Sequence, residues 1–158
     1  MLLTEAGRVI LGSVGGASGA LYGRALQRAG ASLDMPDAPD GSTSGEAPTL
    51  WGVVRALEAA TGAIAALGRS GPGDKTMLDA LLPAAAALRA SAIASADLRE
   101  ALSRAVEAAD RGAEGTRPLV ARRGRASYLG ERSAGHLDPG AASSLLIVRA
   151  LAETLTDR

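Results

Sequence analysis

Cysteine is absent from these 158 residues, which excludes disulfides and thiolate-held metals. Phenylalanine is absent too, and the aromatic residues are Trp51, Tyr22 and Tyr128. A β-sandwich core draws on aromatic and β-branched side chains. Here the apolar 47% is mostly Ala and Leu, which suits close-packed helices. Neither sign of charge is in excess: 17 basic and 17 acidic residues cancel, so no basic field exists to coat nucleic acid or hold an anionic membrane. No uninterrupted apolar run reaches the roughly 18 residues of a spanning helix. The opening MLLTEAGRVILG lacks the basic start and cleavage pattern of a signal peptide. These absences describe a soluble, cytoplasmic, all-α chain, with residues 1–158 forming one domain.

Lysine is nearly absent: sixteen arginines stand against Lys75 alone. Coding bias accounts for such a skew. A compact ammonium differs from a guanidinium in shape and hydration, so a site that needs one resists replacement. The alternative is chance survival of one surface lysine.

What is present is helical periodicity broken by glycine-rich loops. Residues 1–11 read as the tail of a helix and 20–29 as a short one. Residues 31–48, with three prolines and many small polar residues, read as a mobile loop. Leu50, Val53, Leu57, Ile64 and Leu67 recur at helical spacing, and Gly68 ends that helix. Residues 75–92 form a further helix in which Pro83 should bend the axis or free a carbonyl. Asp97 followed by Glu100 opens a helix over about 98–117, with a buried stripe of Leu98, Leu102, Val106, Ala109 and Ala113. Asp138 as cap and Pro139 at the first helical position open the last helix, running to about Thr156 with Leu145, Val148, Ala152 and Leu155 inward. No strand pattern and no long repeat is present, so the architecture expected is an antiparallel helical bundle or barrel.

Three loops interrupt these helices. SVGGASG (13–19) offers glycine N–H groups and the Ser18 hydroxyl to an anion, or else lets two helices pack closely. GPGDKTM (71–77) puts Asp74, Lys75 and Thr76 at a helix start, where the positive end of the dipole adds to the ammonium. It lacks the spacing of a Walker P-loop; in the alternative reading, Asp74 is only a cap and Lys75 only solvated. GRASYLGERSAGHLDPG (124–140) holds Arg125, Tyr128, Glu131, Arg132, Asp138 and the sole histidine, His136. Arg125 could grip a phosphate with two parallel hydrogen bonds. A bundle brings alternate loops to one end, which suggests a nucleotide site at one mouth.

SVGGASGALYG, GPGDKTMLDAL and GRASYLGERSAGHLDPGAASS resemble, in order and spacing, the three signature loops of the nucleotide-binding subunit or domain of dihydroxyacetone kinases. The resemblance covers nearly the whole chain. It implies an antiparallel barrel of eight helices, about six of them here, with ADP or ATP bound at one end. It implies that Ala17 and Ser18 hold phosphate, that Gly68 and Met77 border the adenine or ribose, and that Thr76 lies near the phosphates. Arg125 would meet phosphates or ribose, and Asp138, Pro139 and Gly140 would line the nucleotide. His136 would order its loop. The implied partners are a dihydroxyacetone-binding subunit that holds the ketose and, in one variant of the family, a phosphotransferase-system protein that rephosphorylates bound ADP. The implied cofactor is magnesium, held by a Gly-Asp-x-Asp-His-Gly loop that this sequence does not contain. Asp34, Asp37 and Asp40 lie after the wrong helix to replace it. The expectation is therefore an N-terminally incomplete barrel that self-associates or recruits a partner. It acts either as a kinase subunit or as a non-catalytic nucleotide-binding or regulatory module; a relic bundle without ligand fits the loops less well.

Overall fold

The computed structural model describes residues 2–33 and 49–157. Six α-helices and one 3-10 segment account for its regular structure, and no strand occurs among the described residues. The helices are α1 (Leu2–Ser13), α2 (Gly16–Leu33), α3 (Leu50–Gly68), α4 (Leu78–Ile93), α5 (Leu98–Glu114) and α6 (Pro139–Thr156); the 3-10 segment is Arg125–Ser133. The all-α expectation holds. Asp34, Asp37 and Asp40 lie outside the described residues.

The chain divides into two compact units, Met1–Arg69 and Ser70–Arg158. In the first unit α2 packs on both α1 and α3. Small residues make the α1–α2 contact. A Cβ added at Gly7 would lie 2.5 Å from the Gly23 carbonyl oxygen, and one at Gly23 would lie 2.9 Å from the Gly7 oxygen. Only hydrogen at both positions lets the backbones approach this far. Gly30 continues the same stripe against Thr4. Val53, Val54 and Ile64 are buried on α3, whereas Leu67 is exposed. Thr49 caps α3, its side chain accepting from the Gly52 N–H at 3.0 Å. By length and composition alone α3 could also cross a membrane; Arg55 and Glu58 lie within it.

In the second unit α4, α5 and α6 pack on one another. The interior holds Leu78, Leu81, Leu88, Leu102 and Val148, filled in by alanines such as Ala84, Ala105 and Ala109. Asp97 caps α5 through the Glu100 N–H at 2.8 Å, as its sequence pattern indicates. Of the expected α5 stripe, Leu102, Ala109 and Ala113 are buried while Leu98 and Val106 are only half-buried. On α6, Val148 is buried and Leu145, Ala152 and Leu155 are half-buried; Ala141 and Ser144 complete the inward face.

Pro83 sits inside α4 without ending it. It has no N–H, so the Asp79 carbonyl one turn earlier loses its helical partner. Gly112 of α5 presses on that carbonyl: a Cβ built at Gly112 would lie 2.1 Å from the Asp79 oxygen. The proline and the glycine thus form one packing device across two helices.

Several boundaries depart from the sequence reading, among them the ends of α1 at Ser13 rather than 11 and of α2 at Leu33 rather than 29. The second helix starts at Gly16 rather than residue 20 and runs 18 residues, because glycines that look like a loop are buried helix faces. Gly68 remains helical, and Arg69 takes the left-handed turn (φ 46°), its N–H bonding the Ala65 carbonyl. The fourth helix starts at Leu78 rather than 75, and α5 stops at Glu114 rather than 117.

Candidate functional site

The second unit gathers the loop before α4, the segment from Thr116 to His136, and the start of α6. Gly73 (φ 80°) and Lys75 (φ 61°) turn the 71–77 loop left-handed. The Asp79 carboxylate, one turn into α4, accepts from the Gly73 and Thr76 N–H groups and holds the loop back on the helix. Thr76 Oγ1 accepts from the Leu78 N–H at 3.2 Å, leaving its own proton to donate elsewhere. Asp74 accepts from the Gly71 N–H, and its carbonyl receives the Arg122 N–H at 3.0 Å.

Lys75 is neither solvated nor aimed at open space. It is 2% exposed, and its Nζ donates to four backbone carbonyls: Thr116 (3.0 Å), Leu119 (3.1 Å), Ser133 (2.7 Å) and His136 (2.7 Å). An ammonium has three protons, so at least one is shared among these acceptors. The expectation that Lys75 offers charge to a phosphate gives way to this arrangement, because no donor is left. Burying the charge is tolerable because the surrounding carbonyl dipoles replace water.

Further bonds tighten the same segment. Ser133 Oγ donates to the Gly130 carbonyl at 2.6 Å and accepts from the Ala121 N–H at 2.8 Å. Thr116 Oγ1 donates to the Ala113 carbonyl and accepts from the Asp138 N–H at 2.9 Å. The Gly135 N–H reaches the Arg117 carbonyl at 2.7 Å. His136 contributes through its carbonyl while its imidazole is exposed. The loop is ordered by the Lys75, Ser133 and Thr116 side chains bonding to backbone groups, and no hydrogen bond of the imidazole occurs among the described residues.

Asp138 caps α6 as expected, its Oδ2 accepting from the Ala141 N–H at 2.7 Å. The carboxyl is 6% exposed. Burial pushes its pKa up, opposed by the Ala141 and Gly140 N–H groups; Asp79 nearby raises it further and Lys75 lowers it. Gly140 closes this corner. A Cβ there would lie 2.9 Å from Asp138 Oδ2 and 3.2 Å from the Met77 nitrogen. The start of α6 and the start of α4 therefore meet at Gly140 and Met77.

Of the residues singled out from sequence, the structure brings Met77, Asp138 and Gly140 into contact, with Thr76 and Pro139 adjacent to them in the chain. Arg125 opens the 3-10 segment after Gly124 (φ 68°), exposed and without a bonding partner among the described residues. Tyr128 is 88% exposed on the same segment. Ala17, Ser18 and Gly68 belong to the first unit. Ala17 and Ser18 are exposed in the first turn of α2 and not in a loop. Gly19 beside them is a packing residue: a Cβ there would meet the Val14 carbonyl oxygen at 1.8 Å. Sequence reading missed Asp79, Thr116 and Ser133. Asp79 was legible as an acidic residue in a first helical turn; the other two have partners too distant in sequence to see.

The described residues do not fit a magnesium site. They contain no cluster of three or more His, Asp or Glu side chains, and the Asp79 and Asp138 carboxylates already serve backbone N–H groups.

Comparison with known proteins gives this corner a context. The family model described as the DAK2 domain matches residues 1–153. The ADP-binding subunit DhaL of PEP-dependent dihydroxyacetone kinase 2 from Listeria innocua is 42% identical over 154 residues, covering 98% of this chain and 67% of the relative. The ADP-binding subunit DhaL of the Escherichia coli PEP-dependent dihydroxyacetone kinase is 36% identical, covering 96% of this chain and 68% of the relative. Human triokinase/FMN cyclase is 38% identical over 98% of this chain, which spans 25% of that longer protein. The crystal structure of the dihydroxyacetone kinase of C. freundii superposes with a TM-score of 0.66 at 29% identity, over 97% of this chain and 23% of that one. The chain thus spans about two thirds of the ADP-binding subunits and a quarter of the longer enzymes. With the match running from residue 1 to residue 153, the chain belongs to the DAK2 domain family.

Proposed function

We propose that this chain binds ADP or ATP and is the nucleotide-carrying component of a dihydroxyacetone-type kinase. In that role it passes a phosphoryl group to dihydroxyacetone, or a related short ketose, held by a separate dihydroxyacetone-binding subunit in the cytoplasm. The observation that carries the proposal is 36–42% identity to ADP-binding subunits over nearly the whole chain. The geometry of the second unit supports it. The two helix starts that meet at Met77 and Gly140 form a corner with a free Thr76 hydroxyl proton, and Arg125 is exposed on a segment anchored to the same loop.

The corner also divides the nucleotide between its residues. The Asp138 carboxylate occupies the N-terminus of α6, so an anionic phosphate there would meet like charge. Ribose hydroxyls suit that carboxylate, as donors to an acceptor. Within the second unit the phosphates fall to Thr76, whose hydroxyl keeps a proton to donate, and to the exposed Arg125.

The test is calorimetric titration of ADP. Saturable one-to-one binding is expected, and Arg125→Ala should weaken it about tenfold or more, the worth of a charge-assisted contact. Unchanged affinity removes Arg125 from the site, and no binding to the wild type overturns the proposal. Repeating the titration with magnesium chelated, and assaying phosphoryl transfer with the ketose-binding subunit of a related kinase, separates a working kinase subunit from a non-catalytic nucleotide module. Supplying ATP or a phosphotransferase-system phosphoprotein in that assay identifies the donor.

A further inference from the structure

The geometry points to Lys75 as the positioning residue of the nucleotide corner: its ammonium clamps the segment between Thr116 and His136, which carries Arg125, onto the loop that starts α4. The inference rests on the nucleotide-binding reading above and names a role for a residue that touches no ligand. Segment 115–138 contains no α-helix, so its carbonyls lack an α-helical ladder, although Thr116 also receives the Leu119 N–H at 3.1 Å. Four of them, at 116, 119, 133 and 136, turn inward to one nitrogen. Two of these precede Arg125, Ser133 ends the 3-10 segment and His136 follows it, so the clamp closes the base of the whole excursion. Lys75 adopts a left-handed backbone to deliver its side chain there, a conformation rarely held without surrounding contacts. A guanidinium cannot replace it, because a flat fork of donors does not match four carbonyls converging on one point. A surface lysine in an arginine-rich chain gives way readily; this one has a geometric reason to remain.

The single lysine makes the clamp measurable in the unmodified protein. N-hydroxysuccinimidyl acetate acylates an amine only when it is exposed, so Lys75 reacts through local opening. The expected result is acylation far slower than at the α-amino group. ADP at about 100 times its Kd should slow it by a further factor approaching 100, because the nucleotide binds only the closed arrangement. Acylation at the speed of a free lysine overturns the clamp. If calorimetry shows ADP bound and the Lys75 rate does not change, the positioning role fails while the nucleotide reading stands. If calorimetry shows no ADP binding, both fall.

A pair of variants separates positioning from general stability. Lys75→Met removes the donor shared by the four carbonyls, of which Thr116 keeps the Leu119 N–H, whereas Leu88→Ala opens a cavity in α4 and serves as a control for loss of stability. Hydrogen exchange in 117–137 should accelerate at least tenfold in Lys75→Met and not in Leu88→Ala, when both are compared at the same interval below their melting temperatures. ADP affinity should fall with the exchange protection, again only in Lys75→Met. Equal effects in the two variants overturn the role. If Lys75→Met does not fold, the acylation experiment decides alone.

Discussion

Asp138 is a helix cap whose acidity is set by opposing neighbours. Burial and Asp79 favour the protonated carboxyl, while the Ala141 and Gly140 N–H groups and Lys75 favour the carboxylate; burial dominates, and the pKa is raised. A carboxyl raised in the folded state adds stability that is complete below the unfolded carboxylate range and is lost as pH rises through the folded value. Asp138→Asn keeps a capping oxygen and removes the buried charge. Its stability relative to wild type should therefore improve as pH rises from about 3 to about 8, levelling once Asp138 is ionised. Asp138→Ala should cost about 1 kcal/mol at neutral pH through loss of the cap. Urea unfolding of the three proteins across that range tests both statements. At Gly140 a methyl group must displace Asp138 Oδ2 or Met77. Gly140→Ala should then weaken ADP binding several-fold while far-UV circular dichroism stays unchanged, a combination that a general folding defect would not produce.

Between elements, glycine sets the approach distance. Gly112 lies against the Asp79 carbonyl that Pro83 leaves without its helical hydrogen bond. Gly112→Ala forces α4 and α5 apart at a backbone contact that no side-chain rotation relieves, and should cost about 1–3 kcal/mol or more. Pro83→Ala restores an N–H to that carbonyl and should leave the clash of the glycine variant unrelieved; denaturant midpoints of the single and double variants measure the coupling. Gly7 and Gly23 play the equivalent part between α1 and α2. Such contacts explain why a sequence with little aromatic content still closes a core: alanine and glycine faces bury area by bringing backbones together.

At the scale of the whole molecule, two compact units divide at Arg69 and Ser70, and the corner around Gly140 belongs to the second. ADP at about 100 times its Kd should stabilise the state that binds it by about 2.7 kcal/mol, a rise in Tm of about 5–10 °C for a chain of this length. Scanning calorimetry with and without ADP tests this. If two transitions are seen, the one that moves identifies the unit holding the nucleotide.

The local part of this structure was legible before any coordinates. Asp97 and the Asp138-Pro139 pair mark helix starts because a capping side chain and the N–H it serves lie within three residues of each other. Pro83 announces a freed carbonyl for the same local reason. The scarcity of aromatic residues and an apolar share made mostly of Ala and Leu pointed to an all-α fold. Tertiary structure alone decided the rest. Gly19 looks like loop and is helix, a glycine because the Val14 carbonyl lies where a side chain would be. Lys75 looks like a free cation and is a buried clamp. Its four acceptors are 41 to 61 residues away in the chain, and backbone carbonyls leave no signature in sequence, since every residue has one.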